Sequence, residues 1–99
     1  MIVSLSDIEI IVKSLESKLK RVAREAYLFG SVVEGCAIAG ESDLDMLIIP
    51  DKKVDYFSLL DEEITKLLDL GIVMHLHIAD NVTYRNLVSE VRRKGLRIV

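Results

Sequence analysis

Two aspartates at alternate positions, Asp43 and Asp45, stand at the mouth of the apolar run Met46 to Ile49. Asp is among the poorest strand formers, so a strand that opens on two of them invites a chemical reason. In an extended chain, residues i and i+2 share a face and lie about 6–7 Å apart. Both carboxylates therefore project together, while Leu44 and Met46 point the other way. Paired carboxylates repel unless one takes a proton or a cation compensates them. Mg²⁺ is an economical partner, because it takes one or two carboxylates and completes its shell with substrate phosphates. Two such ions about 3.5–4 Å apart can clamp the attacking and leaving oxygens of a phosphoryl transfer. The plainer alternative has Asp43 capping a loop and Asp45 facing water, and taken alone an acidic pair is more often that.

Upstream, Gly30-Ser31 follows the apolar stretch Ala26-Tyr27-Leu28-Phe29. A glycine there lets the backbone come close to a ligand, and a helix opening at Ser31 would point N–H groups and a hydroxyl at an anion. An ordinary strand-to-helix turn with Ser31 as N-cap explains the same residues. The combination is more telling than either part. A phosphate cradle at one strand end and a metal-binding carboxylate pair on the next strand are the two halves of a nucleoside triphosphate site.

Those halves need elements to hold them. Ser6-Asp7-Ile8-Glu9 has the spacing of a capping box, and Ile8, Ile11, Val12, Leu15, Leu19 and Val22 recur at helical intervals, which predicts a helix over about 7–22. Ala26 to Phe29 predicts a buried strand, Ser31 to Gly35 the first turns of a helix, 37–42 a loop, and Asp43 to Ile49 a strand stopped by Pro50. Phe57, Leu60, Ile64, Leu67 and Leu68 predict one long helix over 54–70, with Gly71 as its stop. Ile72 to Ala79 reads as a third strand. A last helix capped by Asn81 or Thr83 would carry Leu87, Val88 and Val91 inward, with Arg92, Arg93 and Lys94 suiting its C-terminal dipole. Leu96 to Val99 would add a short edge strand. The order of elements predicts an α/β layered domain with helices packed on one sheet.

With 99 residues the chain suffices for one domain, 1–99. At 51% hydrophobic and 29% charged, its composition is that of a globular protein. A net charge of −3 gives no basic footprint, so charge does not argue for a nucleic-acid partner. Cys36 is the only cysteine, which fits a reducing compartment. No signal peptide and no apolar run near the roughly 20 residues of a membrane helix are visible, so the expectation is a cytoplasmic protein with no membrane partner.

The compound pattern Phe29-Gly30-Ser31, Gly35 and Ser42-Asp43-Leu44-Asp45-Met46-Leu47-Ile48 resembles the signature of the DNA polymerase beta-like nucleotidyltransferase superfamily. The short length resembles its minimal nucleotidyltransferase branch. The resemblance implies a mixed β-sheet flanked by helices (α+β), two Mg²⁺ ions, and transfer of a nucleoside monophosphate from an NTP such as ATP to a hydroxyl. Under it Gly30 and Ser31 would hold the β- and γ-phosphates, and Asp43 and Asp45 would ligate metal. It also implies partners, since many minimal members in prokaryotes are encoded beside a helical HEPN-type protein, some as toxin–antitoxin pairs. A groove completed by such a partner or by a second copy, as a homo-oligomer, is a further expectation.

Two positions depart from the family pattern. Glu34 stands where many members have Arg. The third catalytic carboxylate, expected on a neighbouring strand, is missing from Ile72 to Ala79, and His75 occupies its place. By alternation His75 and His77 share a face. Three roles remain open for His75: a metal ligand, although imidazole suits Zn²⁺ or Cu²⁺ better than Mg²⁺; a general base, given an ordinary pKa near 6.5; or a structural group in an impaired site. On the last reading the protein is a binding module that retains the fold without turnover.

Overall fold

The computed structural model describes residues 2–3, 5–34, 37–38, 42–79 and 85–99. In chain order they form β1 (Ile2–Val3), a 3-10 turn (Leu5–Ile8), α1 (Glu9–Leu19), β2 (Ala23–Phe29), α2 (Ser31–Glu34), β3 (Ala37–Ile38) and β4 (Ser42–Pro50). There follow α3 (Tyr56–Leu59), α4 (Asp61–Asp69), β5 (Ile72–Ile78), α5 (Arg85–Lys94) and β6 (Leu96–Arg97). The main sheet has the order β5-β4-β2-β6, and β1 pairs with β3 in a separate two-stranded ladder. Strand β2 runs antiparallel to β4 and β6, whereas β4 and β5 are parallel. A parallel pair needs a crossover, and α3 with α4 supplies it. The result is a mixed α+β sheet flanked by helices, as the family resemblance implies.

The two faces of the sheet follow from strand alternation. Ala26, Leu28, Leu44, Met46, Ile48, Ile72 and Met74 turn inward against Leu15 and Leu19 of α1 and Leu67 of α4. Burying one such large aliphatic chain stabilises the fold by about 1.5–3 kcal/mol. Where α1 meets α4, the buried Glu63 carboxylate accepts hydrogen bonds from Ser14 Oγ at 3.1 Å and Lys18 Nζ at 2.7 Å. A charge removed from water is tolerable only with such partners.

The opposite, outer face is covered over only part of its area. Helix α5 lays Val91 on Tyr27 and Leu47, with Phe29, Ile49, Ala79, Leu87 and Val88 around them. It is fastened there by Glu25, which accepts from Arg92 Nε at 3.1 Å, from a second Arg92 nitrogen and from the Tyr27 hydroxyl. Arg97 lies 3.9 Å from Glu25, with its guanidinium 5.9 Å from the centre of the Tyr27 ring. Arg92 and Arg97 are therefore latch residues, and Lys94 sits 3.6 Å from Glu90, so each of these three cations has an acidic neighbour.

Several local expectations are corrected. The first helix is capped by Ile8 rather than through the Ser6–Glu9 box, because a 3-10 turn over Leu5–Ile8 drives Ile8 into the core. That helix stops at Leu19, since β2 begins at Ala23, earlier than the apolar run suggests. The predicted helix over 54–70 is two helices that meet at Leu60, whose ψ of 11° interrupts the regular turn. Asp55 caps the first of them by accepting from the Ser58 amide at 3.2 Å. The span 37–42, predicted as a loop, contains β3. Cys36, Gly40, Asp80, Asn81, Thr83 and Tyr84 lie outside the described residues, as do the side chains of Glu34 and Ser42. Among the described residues no helix is long and apolar enough to cross a membrane.

Candidate functional site

The site occupies the corner of the outer face that α5 leaves open. Strand β4 is central in the sheet, and its inner residues Leu44, Met46 and Ile48 are completely buried. That anchoring forces Asp43 and Asp45 to the outer face. The Asp43 side chain is 58% exposed and that of Asp45 23%. Both stand clear of the Leu47–Val91 contact further along the strand.

The Gly30-Ser31 turn closes on them from β2. Phe29 pairs with Asp45 in the antiparallel ladder, so the turn necessarily comes beside the carboxylates. Gly30 has φ +98°, and a Cβ placed on it would lie 2.7 Å from Asp45 Oδ2. Conformation and space both call for glycine there. Ser31 Oγ donates to the backbone carbonyl of Asp43 at 3.3 Å, stitching the start of α2 to β4. The four sequence-predicted residues Gly30, Ser31, Asp43 and Asp45 are thus in one place.

From the other side comes β5. Its register puts His75 opposite Asp45 and His77 opposite Leu47. The side-chain contacts are diagonal instead. His75 Nε2 lies 3.5 Å from Asp43 Oδ1, and His77 Nε2 lies 3.2 Å from Asp45 Oδ1. With the proton on Nε2, His77 donates to that carboxylate. Its ring leans on Phe29, with centroids 5.6 Å apart. Each aspartate thus has its own imidazole. The spacing singles out His75 as the stand-in for a carboxylate, whereas His77 makes the closer contact, 3.2 Å against 3.5 Å.

The donor set can be weighed against a metal. Asp43 and Asp45 offer hard oxygens, and Oδ2 of Asp45 faces the space that a side chain at residue 30 would fill. That suits one hard divalent cation completed by phosphate and water oxygens. Among the described residues no group of three or more His, Cys, Asp or Glu side chains is arranged to hold a metal ion. The third carboxylate of a two-ion centre has no counterpart on β5, where Val73, His75 and His77 face outward.

Among the described residues, two hollows lie against the sheet. A cleft of about 250 Å³ opens between the Gly30 turn and α5, lined by Phe29, Gly30, Val33, Val91 and Lys94 among others. A larger one, about 740 Å³, lies at the far end of β4, beside Arg24, Lys52 and Lys53. Size alone would select the second. The smaller cleft touches Gly30, one of the four converging residues.

A family model described as a nucleotidyltransferase domain matches residues 8–97. No curated protein and no solved structure matches the chain.

Proposed function

This chain belongs to the nucleotidyltransferase domain family, and from that premise we propose that it moves a nucleoside monophosphate from an NTP, ATP first among them, to a hydroxyl acceptor with Mg²⁺. The observation that supports this most is the wedge of Gly30 against the Asp45 carboxylate. It brings a close-approach backbone turn and an acidic pair to one open corner. Asp43 and Asp45 hold the ion, which supplies charge neutralisation for the triphosphate. Gly30 and Ser31 would pack against the β- and γ-phosphates. His77 orients Asp45 through its hydrogen bond, and His75 stands 3.5 Å from the Asp43 carboxylate. Such a site works by positioning and electrostatics more than by covalent chemistry.

A second reading is favoured by one specific observation: on β5, imidazoles stand where the family reading expects a carboxylate. In that case the pocket binds nucleotide without turnover, and the protein acts as an antitoxin-like binding module for a partner such as a HEPN-type helical protein. Calorimetric titration of ATP and the other NTPs with Mg²⁺, into wild type and Asp45→Ala, tests the pocket that both readings share. Binding that needs the metal and Asp45 is expected. Metal-dependent binding left intact in Asp45→Ala would refute the assignment. His75→Asp separates the two readings, because restoring a carboxylate should raise transfer if the site is merely impaired.

A further inference from the structure

Strand β5 is an edge of the main sheet, and among the described residues its outer side carries no paired strand. Which of its backbone groups are unpaired follows from one bond. The Ala79 amide donates to the Ile48 carbonyl at 2.8 Å. Alternation then turns the N–H and C=O of Val73, His75, His77 and Ala79 toward β4. Those of Ile72, Met74, Leu76 and Ile78 point away from the sheet, four donors and four acceptors in a row.

Sheet edges normally carry a device against pairing, such as a lysine, a proline, a bulge or brevity. The opposite edge, β6, has brevity, at two residues. Strand β5 has none of them. It is seven residues long, Ile-Val-Met-His-Leu-His-Ile, without Pro, Gly, Lys or an acid, and β4 pairs along it without a register shift.

We propose that this edge pairs with the same edge of a second copy, antiparallel about a two-fold axis through His75. That register is selected by the backbone. It sets Ile72 opposite the other copy's Ile78 and Met74 opposite its Leu76, so every outward group meets an outward group, for about eight hydrogen bonds. A centre shifted along the strand leaves some of them unpaired. Side chains agree with it. The inner face continues as Ile72, Met74, Leu76 and Ile78 across both copies, and Val73, 45% exposed beside Asp43, is covered by the other copy's His77. No ionised carboxylate or ammonium lies on the joined strands.

The consequence reaches the site. Asp45 is in register with His75, so one row across the joined sheet reads Asp45, His75, the second copy's His75, the second copy's Asp45. Three strand spacings separate the two Asp45 Cα atoms, about 14 Å. The axis is perpendicular to the sheet, so both acidic pairs open on the same side. Each gains the other copy's His75 and His77 as neighbours.

Sedimentation equilibrium should give twice the 11.1 kDa chain mass. Val73→Lys, an exposed change that puts a charge opposite the second copy's His77, should yield monomers with the wild-type circular dichroism. The paired His75 residues form a non-hydrogen-bonded pair with Cα atoms about 4.5 Å apart, inside the disulfide range. His75→Cys in a Cys36→Ser background should therefore cross-link to a dimer under mild oxidation. A monomer at every concentration, a dimer without that cross-link, or a dimer left intact by Val73→Lys would each overturn the proposal. None of these readouts involves nucleotide, so failure here leaves the reading of the acidic pair untouched.

Discussion

Replacing Gly30 by alanine tests the convergence of the two motifs. The new methyl group meets two separate penalties. The first is conformational. At φ +98° an L-residue sits outside the ordinary allowed regions, which costs about 1–3 kcal/mol. For a chain of this size each kcal/mol lowers Tm by roughly 4–8 °C, so 1–3 kcal/mol should lower Tm by roughly 4–24 °C. The second is local. The Cβ would stand 2.7 Å from Asp45 Oδ2, whereas the Asp43 carbonyl at 3.4 Å and the Asp45 amide at 3.5 Å are in ordinary contact. The flexible carboxylate gives way, so the clash adds little to the instability. It should instead displace Asp45 from its hydrogen bond with His77 and weaken Mg²⁺-dependent ATP binding. Thermal unfolding reads the first effect and calorimetry the second. In an Asp45→Ala background Gly30→Ala keeps only the conformational cost, so a double-mutant cycle isolates the contact. An unchanged Tm would refute the strain. A lowered Tm with undiminished ATP affinity would mean that the Asp45 carboxylate does not face the nucleotide.

Other perturbations probe the scaffold. Leu67→Ala opens a cavity beneath the sheet at a fully buried position and should cost about 2–5 kcal/mol in chemical denaturation, while nucleotide affinity in the folded protein stays the same; a fall in affinity would show that α4 helps shape the site. The Arg92 hydrogen bonds, with that of Tyr27, hold the Glu25 carboxyl below its ordinary value of 4.5. Its folded pKa is depressed, so the latch contributes fully above pH 4.5 and is lost as pH falls through the lower folded value. The stability gap between wild type and Glu25→Gln should therefore narrow below pH 4.5, and a gap constant in pH would show that the latch does not depend on the Glu25 charge.

What could be read in advance follows from where periodicity decides structure. Asp43 and Asp45 share a face because Leu44, Met46 and Ile48 are held in the core, and strand alternation shows that in the sequence itself. The turn at Gly30 was legible for a similar reason, since an apolar strand ended on a glycine. The break at Leu60 was not, because Phe57, Leu60 and Ile64 keep a helical spacing across it. Strands β1 and β3 are two residues each, too short to carry any period, and exist only as each other's partner. Polar Arg24 and Glu25 hid the start of β2; Glu25 is there for Arg92, far along the chain. The pairing of His77 with Asp45 depends on the register of β4 against β5 and on the lean of the side chains, neither of which is written in either strand alone.

Strand β4 is paired on both sides, and its inner residues are the centre of the core. Segments of this kind open only when the whole molecule does. The amides of residues 44 to 48 should therefore exchange hydrogen for deuterium among the slowest in the chain, through global unfolding. Asp45 then rides on the least mobile backbone available, unlike a catalytic group on a loop, and its placement is settled before any ligand arrives. A ligand that reorganises the corner has to do so through side chains, the Gly30 turn or α5, because the strand beneath cannot yield without the fold.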